Sequence, residues 1–255
     1  MSQAEAAHIA NAVSAYATVL AGLLTIAFAR MMTRQPGAWL AVYVCVLVTG
    51  VATVWYHGFG EPFPARVADI GTNLLLAWMI QVAVVGDLYP GRGGRLLNLV
   101  VALVNLEYIL TFALSGGQGA TPLVLPFGEF GGYTLGELLL IVNCFIAVTL
   151  LFARRREIHP LARPLLYLST LIFFAGLLLS TASNSRIDLG IIAYHATWHI
   201  VGAFGFVALW AFNEMRFSLT EGEYAEEHEE RADETRLAES AEIQSPADRE
   251  QVFSY

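Results

Sequence analysis

The sequence predicts an all-α fold, a bundle of seven transmembrane helices, and three observations carry that prediction. Of its 255 residues, 56% are hydrophobic and 14% are charged, against roughly a quarter charged in a soluble globular domain. The charge is segregated: residues 1–213 hold 9 acids and 10 arginines, whereas residues 214–255 hold 13 acids and 4 arginines. Seven apolar runs reach the ~20 residues that a helix needs to cross a bilayer.

The runs cover residues 8–29, 37–56, 67–86, 96–115, 132–153, 164–181 and 189–212. Between them lie helix breakers: Arg34-Gln-Pro-Gly, Glu61-Pro-Phe-Pro, Tyr89-Pro-Gly-Arg-Gly-Gly and the Gly/Pro-rich stretch 116–131. The first run is longer than the apolar core of a signal peptide and its arginines follow it, so it is expected to stay in the mature protein. Arg30, Arg34, Arg92, Arg95, Arg154, Arg155, Arg156, Arg163 and Arg216 fall on one face of the predicted bundle, and only Arg66 and Arg186 on the other. The positive-inside rule then puts the N-terminus outside and the C-terminus in the cytoplasm.

Two units follow, a seven-helix transmembrane domain over residues 8–212 and an acidic cytoplasmic tail over 213–255. From 221 to 250 the tail is dense in Glu and Asp and nearly free of aromatics. Such a segment cannot bury enough surface to fold alone, so the tail is expected to be disordered as a unit, solvated and partly helical.

Composition also excludes functions. No lysine is present among the 14 basic residues, which rules out a retinal Schiff base, a pyridoxal enzyme and a P-loop NTPase. A basic face for nucleic acid is absent too. Cys45 and Cys144 sit within apolar runs and read as small buried hydrophobes. An all-arginine basic set suits GC-rich coding, so the expected location is a prokaryotic cell membrane.

Ionisable groups inside spans are costly, which makes each a functional candidate. Span 2 ends with Thr53 and His57, span 3 begins near Asp69, and span 7 opens with His195 and His199. Span 2 ends on the side where spans 3 and 7 begin, so all these groups share one leaflet. Residues four apart share a helix face. Thr53 therefore faces with His57, and His195 with His199.

A single buried histidine is more often structural than a ligand. Two at i and i+4, joined at the same depth by a third, make a three-histidine site with an open position, the arrangement of a catalytic zinc. Water at such a position is acidified. Asp69 can orient or deprotonate it, and the Thr53 hydroxyl can donate to an oxyanion. Haem is disfavoured, because two histidines one turn apart cannot take opposite faces of one macrocycle. Glu107 in span 4 and Glu137 in span 5 are candidates for a supporting role or a proton path, and hydrogen bonding to Asn73, Asn105 or Asn143 explains them equally well. Asp188 and Arg186 are expected to pair or meet headgroups, and Trp55, Tyr56 and Trp198 to form an aromatic belt.

These residues resemble the alkaline ceramidases, within a superfamily of seven-span proteins that includes the adiponectin and progestin receptors. That superfamily carries Ser-x-x-x-His at the end of span 2, Asp at the start of span 3 and His-x-x-x-His in span 7. The matching positions here are Thr53 with His57, Asp69, and His195 with His199. The run 194–202, YHATWHIVG, resembles the ceramidase span-7 signature, including Trp198 before the second histidine. Thr53 stands where the family has serine, and residues 1–15 hold no equivalent of the eukaryotic calcium segment.

The resemblance implies hydrolysis of a lipid amide. Zinc (Zn2+) held by His57, His195 and His199 would polarise the amide carbonyl and supply hydroxide, Asp69 would shuttle the proton to the leaving amine, and Thr53 would assist the oxyanion. Independently, a site in one leaflet favours a lipid that enters from the bilayer, on the outer-leaflet side under the orientation above. Two other classes remain open: a receptor-like sensor with structural zinc and the tail as output, and a transporter using Glu107 and Glu137.

Overall fold

The computed structural model describes residues 3–32, 35–117, 122–124, 132–184 and 194–243. Seven long helices occupy them: α1 Gln3–Met31, α2 Gly37–Gly58, α3 Phe63–Leu88, α4 Arg92–Leu114, α5 Leu135–Ala153, α6 Arg163–Asn184 and α7 Tyr194–Ile243. Each is long and apolar enough to cross a membrane, so this is a multi-pass membrane protein with an all-α seven-helix bundle. Arg34, Arg186, Asp188 and the start of the predicted seventh span, 189–193, lie outside the described residues.

Helix boundaries follow local chemistry. Pro62 precedes α3 and a further proline stands in its first turn, where the missing N–H costs nothing. The fifth helix starts three residues later than expected, because Gly132–Thr134 pairs antiparallel with Pro122–Val124 in a short hairpin (β1, Pro122–Val124; β2, Gly132–Thr134). Thr134 then opens α5 through a capping box with Glu137. Two 3-10 turns, Arg155–Glu157 and Pro160–Ala162, link α5 to α6.

The partial helix expected of the tail is long. The backbone of α7 continues as one helix through Ile243. Glu, Ala and Arg are good helix formers, and extending an existing helix avoids the cost of nucleating a new one. No packing partner is needed for that, so the segment is helical without being a second folded unit.

The packing places α1 against α2 and α7, α2 against α3, and α6 against α7. α5 and α4 both lean on α3. The α1–α2 crossing is close: a Cβ on Gly22 would lie 2.6 Å from Leu47 Cα, and one on Gly50 2.6 Å from Val19 N. Small residues allow such backbone approach between membrane helices, and here they draw the middle of α1 against α2.

The largest apolar core, with Trp39, Tyr43, Val84, Leu166 and Phe212, sits where α2 and α6 begin and α3 ends. Among its members a polar lattice ties the helices together. Arg216 on α7 donates to Asp87 on α3 at 2.5 Å, and Trp39 Nε1 donates to the same oxygen at 2.6 Å. Arg216 also lies over the rings of Trp39, Phe212 and Phe217. The opposite end of the bundle holds the candidate site.

Candidate metal centre

The last turn of α2, the second turn of α3 and the first turns of α7 meet at one depth. His57 Nε2 lies 3.2 Å from His195 Nε2. The ring centroids are 5.0 Å apart for His57 and His195, 5.3 Å for His57 and His199, and 4.8 Å for His195 and His199. One nitrogen from each ring lies within 4.8 Å of the others. Two nitrogens bound tetrahedrally at ~2.0–2.1 Å from zinc would stand roughly 3.3 Å apart. The His57–His195 spacing fits that value, and an all-imidazole donor set suits zinc.

Two of the rings are held from behind. His57 Nδ1 lies 3.3 Å from Glu61 Oε1. A carboxylate only accepts, so Nδ1 carries the proton and the Nε2 lone pair faces His195. His199 Nδ1 is 2.9 Å from Ser14 Oγ, which itself donates to the Asn11 carbonyl at 3.0 Å. The serine proton being used there, its oxygen accepts from His199 Nδ1–H and leaves Nε2 for an ion. Partners of this kind fix the tautomer and orientation of metal-binding histidines. Neither Ser14 nor Glu61 stood out in the sequence.

Beside the imidazoles, Thr53 Oγ1 donates to Asp69 Oδ1 at 2.6 Å and lies 2.9 Å from the Thr49 carbonyl. Asn73 Nδ2 binds the Asp69 backbone carbonyl at 2.9 Å and approaches Oδ1 at 3.4 Å. Thr53 has one proton to give, and in this geometry it is directed at Asp69 rather than into open space.

Thr53, Asp69, Glu137, His195 and His199 line one cavity of about 200 Å³. It follows α7 from His195 to Leu209, about 21 Å at the helical rise, and its walls are chiefly apolar. α5 and α6 face each other across it. Although consecutive in the chain, their backbones hardly approach one another. Side chains close the seam instead: Phe145 packs on Phe174 at 5.6 Å between centroids, and Phe152 on Tyr167 at 5.7 Å.

No family model matches this chain, and no curated protein does. The resemblance to the ceramidases therefore rests on the residues named above and their order.

The remaining sequence candidates separate. Glu137 caps α5, accepting from the Thr134 amide at 2.6 Å and its hydroxyl at 2.8 Å, and also lines the cavity. Glu107 sits on the exposed face of α4, where Thr111 reaches it at 3.5 Å. The two glutamates thus do not share a path. Asn143 donates to Asn105 at 3.0 Å, joining α5 to α4. Trp198 departs from the expected aromatic belt: it lines the cavity, and a Cβ on Gly176 would lie 2.8 Å from its ring. Trp55, 43% exposed, retains a position suited to a belt.

Proposed function

We propose that this protein is a zinc-dependent membrane hydrolase that cleaves the N-acyl amide of ceramide or a related lipid, releasing a free fatty acid and an amine base. The observation that carries this reading is the convergence of His57, His195 and His199 beside a hydrogen-bonded Thr53–Asp69 pair at the head of an apolar intramembrane cavity. The resemblance of the same residues to the alkaline ceramidases supports it and selects the amide.

When bound by the three imidazoles, zinc supplies Lewis acidity, polarising a carbonyl and acidifying water. The chain's own residues do the rest. Glu61 and Ser14 hold the rings of His57 and His199. Asp69 takes a proton from water and returns it to the departing amine nitrogen, without which that nitrogen is a poor leaving group. Thr53 suits both states of that carboxyl: its hydroxyl donates to the carboxylate, and it can instead accept from the carboxylic acid while donating to the Thr49 carbonyl. We therefore assign Thr53 to orienting Asp69 rather than to an oxyanion.

The cavity walls hold an acyl chain away from water, and the α5–α6 seam offers a lipid a lateral way in. Arg30, Arg92, Arg95, Arg154 and Arg216 stand at the end remote from the histidines, which supports an N-out orientation with the site toward the outer leaflet of a cell membrane and the tail in the cytoplasm. The test is incubation of purified protein with amide- and ester-linked lipids, with and without chelator, reading released fatty acid by mass spectrometry. Chelator-sensitive release from the amides is expected. Turnover that ignores both the chelator and Asp69→Asn defeats the proposal.

A second reading is favoured by one observation. α7 carries His195 and His199 in its first turns and runs unbroken to Ile243, which suits a sensor that reports zinc or lipid occupancy to the tail. That reading expects zinc to raise thermal stability with no lipid turned over.

A further inference from the structure

The loop between α2 and α3 is short and unusually bent. Gly60 has φ +81° and Glu61 φ +55°, and Glu61 is the one non-glycine residue with positive φ among the described residues. The Glu61 amide donates back to the Tyr56 carbonyl at 3.0 Å, closing the end of α2, and Pro62 then leads into α3. Left-handed backbone after a helix is the ordinary setting for glycine, because a Cβ there crowds the neighbouring carbonyl. A glutamate in that conformation is a backbone strain that needs a compensating role.

The side chain shows where that role lies. The bend turns Glu61 back over the last turn of α2, with Oε1 at 3.3 Å from His57 Nδ1. The ring is thereby presented with Nε2 toward His195. Elsewhere in the loop a left-handed residue is supplied by glycine. Position 61 instead keeps a carboxylate at a backbone cost, in contact with the one metal-site histidine that α7 does not carry.

We propose that Glu61 is the positioning residue for His57, and that the chain accepts a strained turn to place its carboxylate there. The inference rests on the zinc reading above and deepens it. Loss of such a carboxylate partner weakens metal binding by about 10–100-fold. A residue that served only the turn would leave zinc affinity unchanged on replacement, since glycine at a left-handed position relieves strain without disturbing the imidazoles.

The experiment compares wild type, Glu61→Gly and Glu61→Gln in detergent. Zinc affinity is read by competition with a chelating dye, and thermal unfolding is followed on metal-free protein. Expected for Glu61→Gly are a metal-free melting temperature equal to or above wild type and a zinc affinity about 10–100-fold lower. Glu61→Gln keeps an acceptor oxygen without the charge and should fall between the two. Zinc affinities of both variants within about twofold of wild type, against that expected loss, overturn the inference while leaving the metal site intact. A wild type that binds no zinc overturns instead the reading on which it stands. Should Glu61→Gly fail to fold, the nearly isosteric Glu61→Gln decides alone, by a weakened or an unchanged affinity.

Discussion

Thr53 Oγ1 stands 2.6 Å from Asp69 Oδ1 and 2.9 Å from the carbonyl of Thr49. One hydroxyl thus has a carboxyl on one side and an acceptor on the other, within the cavity wall that also carries His195 and His199. Thr53→Ser keeps the hydroxyl and should leave turnover little changed. Thr53→Val keeps the shape and removes the hydrogen bond, and should lower kcat roughly tenfold, as loss of one such bond implies. Asp69→Asn should lower it by about 10²–10⁴-fold. Zinc content measured on the same preparations should stay at the wild-type level in all three.

Metal loading should follow the imidazoles and their partners. Purified wild type should carry about one zinc per chain, as one three-histidine site requires. His57→Ala, His195→Ala or His199→Ala should each abolish it by atomic absorption. Ser14→Ala leaves the ligands in place but removes the oxygen that His199 Nδ1–H meets at 2.9 Å, and should weaken zinc by about 10–100-fold in a competition titration.

At the other end of the bundle, Asp87 and Arg216 should matter first for stability, the three metal-ligand candidates themselves being untouched. Their side chains are 16% and 8% exposed, so removing one partner strands a charge. Asp87→Ala or Arg216→Ala should each cost about 3–5 kcal/mol, and the double replacement less than the sum. Thermal unfolding in detergent gives the cycle, with zinc content as the control.

The α5–α6 seam should be where lipid meets protein. A photo-crosslinking phenylalanine analogue at Phe145 or Phe174 should capture an acylated lipid more efficiently than the same analogue at Leu103 on the exposed face of α4. Equal labelling at all three positions would remove the seam as an entry route.

Apolar runs and residue spacing made much of this legible in the sequence. Seven spans follow from segregation of charge, and the depth shared by His57, Asp69, His195 and His199 follows from counting crossings. What the sequence hid depends on approaches between distant segments. Ser14 is one small polar residue in an apolar run, and it meets His199 because α1 packs against α7 as well as α2. Glu61 looked like a loop carboxylate, because nothing in its neighbours reveals a positive φ. Asp87 and Arg216 fall at the same membrane edge by counting spans, but nothing in their spacing shows that they meet. Glu107 in mid-span 4 and Glu137 about a turn into span 5 are both carboxylates within a span, and only the fold shows one on an exposed face and the other at the cavity.

The contacts at the two ends of α3 and α7 have a joint consequence. Asp69 and Asp87 lie about 27 Å apart along α3, and His195 and Arg216 about 31 Å apart along α7, by the helical rise. The Asp87–Arg216 ion pair ties the far ends of the two helices to each other, and near the histidines each is bound to α2, through Thr53 and His57. Sliding of either helix against its neighbours is therefore braced at both ends. On the zinc reading proposed above, the three donors would be held by the folded bundle itself, leaving little ordering of the backbone to oppose capture of an ion.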